Sequence, residues 1–352
     1  MPSVRHGDLT DVRGVRIGHH QRDGRGWLTG VTVVLPPEAT VGAVDVRGGA
    51  PGTRETDALD PRNVVPHVHG IVLSGGSAYG LATADGVVRW LAEHRRGLRV
   101  GPRADMVVPV VPGAVLFDLG RGGHFERRPD AGFGYAAAGA ATTRHSARGC
   151  VGAGTGARAG GLKGGIGGAS VVLESGITVA ALVVLNCAGL TLDRSDGRLL
   201  GAAWLDAAGA RLPTAVEHAA LLAHLASVQP PPLNTTLAVI ATDADLGKAE
   251  AQKMAGVAHD GLARAIRPLH SQADGDVVFA LATGRTALPA IGGPRARWGV
   301  ARTGAFNAVL TAAADVATRA VVDAVLAATG RPGLPAYRDL CPSVVEGLAS
   351  AP

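Results

Sequence analysis

The sequence predicts a mixed α+β chain with a large buried core, and three observations carry that reading. Apolar runs of strand length recur at residues 31–36, 70–73, 169–173, 177–186, 235–242 and 277–282. Longer stretches with helical spacing of small and apolar residues follow at 78–96, 244–266 and 307–329. The chain is 47 % hydrophobic yet holds 51 glycines in 352 residues, which fits a buried core joined by many tight turns.

Charge and cysteine content narrow the function classes. The formal charge of +5 is spread over scattered arginines, and aromatic residues make up only 3 %, so neither a nucleic-acid footprint nor a stacking surface is expected. Cys150, Cys187 and Cys341 are odd in number and widely spaced, which suits a reducing compartment and offers no metal-ligand spacing; no cofactor and no metal are expected. The stretch Met1-Pro2-Ser3-Val4-Arg5-His6-Gly7-Asp8 lacks an apolar signal core, and no run approaches the roughly 18 apolar residues of a membrane span. A cytoplasmic protein with no membrane partner is the expectation.

Taken in order, residues 11–19 and 31–36 cluster β-branched side chains and open the chain as a β-layer. Residues 44–57 mix glycine, arginine and carboxylates too densely for a core segment; a charged surface loop is expected, the alternative being a site. Residues 70–77 read as a buried strand and a glycine turn, Ser74-Gly75-Gly76-Ser77, into a helix with Ser77 as N-cap and Gly97 as stop. That turn is neither a Walker loop nor a dinucleotide fingerprint, so tight packing explains it better than phosphate binding. A strand over 106–111 leads to a Gly/Ala-rich region holding Lys163, one of only three lysines in the chain. A lone ammonium among glycines is either desolvated, and fit to polarise a hydroxyl, or part of an open loop. A hairpin turning at Glu174-Ser175-Gly176 ends on Asn186, whose amide must find structural partners or donate to an oxyanion. Residues 199–228 are Ala-rich and expected to be helical.

The chain then passes through Pro230-Pro231-Pro232-Leu233-Asn234 straight into the apolar run from Thr235. Cleavage between Asn234 and Thr235 would leave a hydroxyl and a free α-amine on one residue, a nucleophile and its base together. An ordinary turn into a core strand and a glycosylation sequon are the alternatives, and the absence of a secretory signal removes the second. On the helix expected over 244–266, His259 and Asp260 are neighbours that point apart and read as capping or core-edge residues. Asp274-Gly275-Asp276 precedes the strand over 277–282; carboxylates at i and i+2 share a face and can bond a hydroxyl or an ammonium, while an Asp-Gly turn is the simpler reading.

Asp11-Val12-Arg13-Gly14-Val15-Arg16-Ile17-Gly18-His19, Asp45-Val46-Arg47-Gly48-Gly49-Ala50-Pro51-Gly52-Thr53, Leu73-Ser74-Gly75-Gly76-Ser77-Ala78-Tyr79-Gly80-Leu81, Lys163-Gly164-Gly165-Ile166-Gly167, Asn234-Thr235-Thr236 and Asp274-Gly275-Asp276 occur in that order. Together they resemble the L-aminopeptidase D-Ala-esterase/amidase family, which includes β-aminopeptidases and nylon-oligomer hydrolases. The resemblance implies an α+β fold, an αββα four-layer sandwich like that of N-terminal-nucleophile hydrolases with different connectivity. It implies one catalytic domain, 1–352, that cuts itself into 1–234 and 235–352 and assembles as a homotetramer of processed protomers. Thr235 would be the nucleophile, its α-amine the base, Asn186 an oxyanion donor, and Lys163, Asp274 and Asp276 the groups orienting the threonine. The activity implied is that of an aminopeptidase acting on short peptides or amino-acid amides and esters. The family aminopeptidases carry a glutamate after the Val-Pro-Val-Val strand to grip the substrate's ammonium group. Here that stretch reads Pro112-Gly113-Ala114-Val115-Leu116-Phe117-Asp118, with Phe117 as the candidate substrate-binding residue. This departure points to the second reading, an oligoamide hydrolase with no need for a free amine. Acyl transfer of the ornithine acetyltransferase kind and an uncut binding protein are the readings from other classes.

Overall fold

The computed structural model describes residues 7–204, 212–228, 233–289 and 300–349. The proline run at 230–232 and part of the expected helical stretch, 205–211, lie outside them. The chain begins with β1 (Arg16–Gly24), β2 (Trp27–Leu35), β3 (Val41–Val46), β4 (Gly52–Arg54) and β5 (Ile71–Ser74). Helix α1 (Thr83–Glu93), the short pair β6 (Leu98–Arg99) and β7 (Val107–Val108), then β8 (Gly113–Val115) and α2 (Ala131–Gly139) follow. A second short pair, β9 (Arg158–Ala159) and β10 (Leu162–Lys163), leads to β11 (Gly165–Val172), β12 (Thr178–Asn186) and α3 (Ala215–Ser227). The remainder is β13 (Thr235–Ala244), α4 (Lys248–Ala265), β14 (Val277–Thr286), α5 (Val300–Ala327), α6 (Tyr337–Leu340) and α7 (Pro342–Ala349).

Ten of the strands form two sheets, ordered β1-β2-β5-β8-β4 and β11-β12-β13-β14-β3. The period of two along β13 shows how they stack: Leu237, Val239 and Ala241 face the first sheet's Ile71 and Leu73, whereas Ala238 and Ile240 face the helical layer of α4 and α5. Each buried Leu, Val or Ile contributes about 1.5–3 kcal/mol, so a charge at Val239 would open the sandwich from its middle. On the far side, Val31, Val33 and Leu35 of β2 pack against Val87, Trp90 and Leu91 of α1 and Phe133 and Ala137 of α2. The layers run helix, sheet, sheet, helix, the αββα sandwich expected. Small residues set the helix spacing: a Cβ on Gly261 in α4 would lie 2.0 Å from the Ala314 carbonyl oxygen of α5.

Local expectations fared unevenly. The hairpin of β11 and β12 turns where expected, with Val172 opposite Thr178 and Gly176 at φ +81. The opening strand begins only at Arg16, because Asp8 accepts the Thr10 N–H and caps a short turn over Leu9–Asp11. The strand expected over 106–111 shrinks to Val107–Val108, prolines at 109 and 112 denying it ladder donors. Ser77 is no N-cap: it sits at φ +50 and opens a 3-10 turn, Ser77–Ala82, that precedes α1. The glycine turn before it is a packing device. A Cβ on Gly75 would fall 2.2 Å from Asp118 Oδ2 and 2.3 Å from Thr29 Oγ1.

Candidate active site

Antiparallel pairing of β12 with β13 sets Asn186 opposite Thr235, each at the end of its strand. Thr235 is 5 % exposed. Its hydroxyl donates to the carbonyl oxygen of Asn234 at 2.5 Å, and the Gly275 N–H donates to the same oxygen at 3.0 Å. The peptide carbonyl ahead of the threonine is therefore held from two sides.

The two carboxylates flank this point. Asp276 accepts the Thr236 N–H through Oδ1 at 2.6 Å, while its Oδ2 accepts the His270 N–H at 3.1 Å and lies 2.9 Å from His270 Nδ1. Asp274 pairs across to Asn234 as a parallel bridge; its Oδ2 accepts from the Ser271 N–H and hydroxyl, and its buried Oδ1 has no hydrogen-bond partner. A buried carboxylate oxygen without a partner is an unfilled acceptor. The segment is clamped by the glycine-rich stretch read as a surface loop. Ala50 N–H donates to the Asp274 carbonyl at 2.8 Å, and a Cβ on Gly48 would lie 2.2 Å from the Asp276 nitrogen. The surface-loop expectation holds in that none of residues 44–57 is buried, and Gly48 and Gly49 in addition let this stretch touch the backbone of 271–276.

Asn186 is fully buried. Its Oδ1 accepts from the Arg158 N–H at 2.9 Å and from Arg121 Nη1 at 3.4 Å, and its Nδ2 donates to the Phe117 carbonyl at 3.4 Å. Phe117 thus reaches the site through its carbonyl and through its ring, 4.9 Å beneath the Arg121 guanidinium. Arg121 is a residue that sequence reasoning missed. It is 7 % exposed, donates to Asn234 Oδ1 at 3.3 Å and to the Leu233 carbonyl, and burial together with the charge of Arg158 pushes its pKa down to about 10. Its position in Leu119-Gly120-Arg121-Gly122-Gly123, a cation between glycines, is the same signal that singled out Lys163. His270 was missed as well. His259, expected at a core edge, is buried edge-on against His270 with ring centroids 4.7 Å apart.

Lys163 is desolvated, as the first of its two readings required, being 1 % exposed; burial pushes its pKa down to about 8, the Cys150 thiol opposing. Its ammonium donates to the carbonyls of Gly154 and Ala157 at 3.0 Å each and of Gly164 at 2.6 Å. No hydrogen bond joins it to Thr235, Asp274 or Asp276, so it holds the glycine loops around the site. Asp118 lies in the neighbouring turn. Its Oδ1 accepts the Gly76 N–H at 2.8 Å, and burial pushes its pKa up to about 6.

A hydroxyl residue at the buried start of a strand in an αββα sandwich, with Asn186 opposite it in register and Asp274 and Asp276 bonded around its neighbours, fits the class of amide-bond hydrolases. The chain belongs to Peptidase family S58, whose profile matches residues 7–336. A protein of Mycobacterium tuberculosis described as an uncharacterized aminopeptidase is 53 % identical over 343 residues, 95 % of this chain and 98 % of its own. The 6-aminohexanoate-oligomer endohydrolase of a Kocuria species is 30 % identical, over 90 % of this chain and 84 % of its own. Among solved structures, a Burkholderia β-aminopeptidase superposes with a TM-score of 0.70 at 25 % identity, over 100 % of this chain and 96 % of that one. The L-aminopeptidase D-Ala-esterase/amidase of Ochrobactrum anthropi, described as a new variant among the Ntn hydrolase fold, gives 0.70 at 20 % identity over 99 % and 96 %, a likeness of fold. The chain is a hydrolase of this family. Among the described residues no helix is long and apolar enough to cross a membrane.

Proposed function

We propose that the chain cuts itself between Asn234 and Thr235 and that the freed threonine hydrolyses the amide bonds of small peptides or amides through an acyl-enzyme. In the first step the Thr235 hydroxyl attacks the Asn234 carbonyl carbon. The negative charge develops on the Asn234 oxygen, which the Gly275 N–H already meets at 3.0 Å. Breaking the C–N bond turns the peptide into an ester and frees the α-amine; water then releases Asn234 as a carboxylate, leaving pieces 1–234 and 235–352. In turnover the α-amine, with a reference pKa of about 7.7–8.0, takes the hydroxyl proton and later passes it to the leaving amine. Asp274 Oδ1 would steady that amine, and the Asn186 amide would meet the substrate's oxyanion. The observation that carries the proposal is the Thr235 hydroxyl lying 2.5 Å from its own preceding carbonyl oxygen at a buried strand start.

The test is the pair Thr235→Ala and Thr235→Ser. The alanine variant should remain one chain without amidase activity, and the serine variant should cut. Normal processing of the alanine variant would place the nucleophile elsewhere. A wild-type chain that stays intact yet inert would favour a binding protein, and acetyl exchange without net hydrolysis would favour acyl transfer.

The names of the relatives support an aminopeptidase. One observation favours the second reading, an amidase with no free-amine requirement: the Arg121 guanidinium nitrogens touch the Leu233 carbonyl and the Asn234 side chain, on the acyl side of the bond, and no glutamate occurs in residues 112–118.

A further inference from the structure

A cavity of about 390 Å³ opens beside the site and ends on Arg121 and Arg158, the two residues that also hold Asn186. Four arginines line it, at 25, 121, 158 and 331, against one carboxylate, Asp23, which is already ion-paired to Arg331 at 2.7 Å. Arg121 and Arg158 have no such partner among the described residues. Their guanidinium donors go to neutral acceptors, Arg121 to Leu233, Asn234 and Asn186, and Arg158 Nη2 to the Arg121 carbonyl at 2.9 Å. The Nε atoms of Arg158 and Arg331 are buried and have no acceptor at all. Arg121 is buried and Arg158 half-buried, neither has a direct ion pair among the described residues, and Asp118 acts on Arg121 only through space, so an anion entering the cavity would gain from both guanidiniums. Trp27 and Leu334 supply apolar wall beside them.

The covalent geometry of the uncut chain says where such an anion would sit. Arg121 touches the Leu233 carbonyl and the Asn234 side-chain amide, and each of these carbons is three bonds from the Asn234 carbonyl carbon that the threonine attacks. A substrate acyl group occupies the place of Leu233 and Asn234 in the ester. We infer that this cavity is an acyl-side subsite for a carboxylate, so that the preferred substrates are amides whose acyl half carries a second, free carboxylate about three bonds from the scissile carbonyl. The inference rests on the amidase reading above and names its substrate class. Asp118, the nearest acid in sequence, does not line this cavity; its Oδ1 accepts the Gly76 N–H.

Three p-nitroanilides of equal length decide it: succinyl, butanoyl and β-alanyl, which place a carboxylate, a methyl and an ammonium at the same bond count. With processed wild-type protein, kcat/KM for the succinyl compound should exceed that for the butanoyl compound by about tenfold or more, the worth of a charge-assisted hydrogen bond. Arg158→Gln should bring the ratio towards one, and Arg158→Lys should restore part of it. A ratio near one in the wild type, or a preference for β-alanyl, overturns the subsite while leaving the amidase intact. The same result would follow if the new carboxylate of Asn234 stayed between the two guanidiniums, and it too counts against the inference. If processed protein cleaves none of the three, the amidase reading falls and calorimetry judges the subsite. Binding of succinamate but not butanamide, weakened in Arg158→Gln, upholds it; equal or absent binding rejects it.

Discussion

Lys163 and Asp118 bury opposite charges within the same framework, and the pH dependence of each can be signed. The folded-state pKa of Lys163 is about 8 against an ordinary 10.5, so between those values the unfolded chain holds more protons. Its burial cost is complete below pH 8 and is relieved as pH rises towards 10.5, by about 3 kcal/mol for such a shift. Asp118 is raised to about 6 from 3.8, so the folded chain holds the extra proton, and stability falls by about 3 kcal/mol as pH climbs from 4 to 6. Denaturant unfolding in a Thr235→Ala background should show both slopes. Lys163→Met should flatten the alkaline one and slow self-processing in an otherwise wild-type chain; unchanged processing would make the lysine purely structural. Asp118→Asn should remove the acid slope, and its persistence would assign that slope to another carboxylate.

Loops and strands cooperate where the glycines at 48 and 49 meet the segment 271–276. A Cβ on Gly48 has Asp276 nitrogen at 2.2 Å and Asp274 oxygen at 2.4 Å, backbone atoms that cannot turn aside. Gly48→Ala should therefore shift the Gly275 N–H away from the Asn234 carbonyl and slow the cut by roughly 100-fold, the cost of about 1 Å of misplacement. Gly304→Ala, in α5 with nothing within 4 Å, is the matched control and should process normally. Fragment ratios on a denaturing gel over time read both; equal rates would show that the loop yields.

The proposed pieces cannot part easily. The 235–352 piece contributes β13 and β14, and these sit in the middle of the second sheet, between β12 and β3 from the other piece. Both outer ladders cross between pieces, Asn186 with Thr235 at one side and Val277 with Val46 at the other. Processed protein should elute as one species under native conditions and separate only when unfolded, and intact mass should give 1–234 and 235–352. Two species on native gel filtration would contradict the sheet order.

The family motifs, the β11–β12 hairpin and the run from Thr235 were legible in sequence because each is local: apolar period, a turn glycine, a fixed order of short segments. Thr235, Asn186, Asp274 and Asp276 were likewise readable as candidates, and folding brings these four to one place. Tertiary structure alone decided what surrounds them. Arg121 and His270 lie far in sequence from Asn186 and Thr236, and their roles come from the burial and contacts that a local pattern does not carry. Gly48 looked like surface because a charged, glycine-rich stretch usually is; the approach of another backbone made it part of the site. The sequence by itself determined the family and the candidate nucleophile, whereas the layering of two sheets determined which charged groups are buried around it, because burial depends on contacts between segments far apart in the chain.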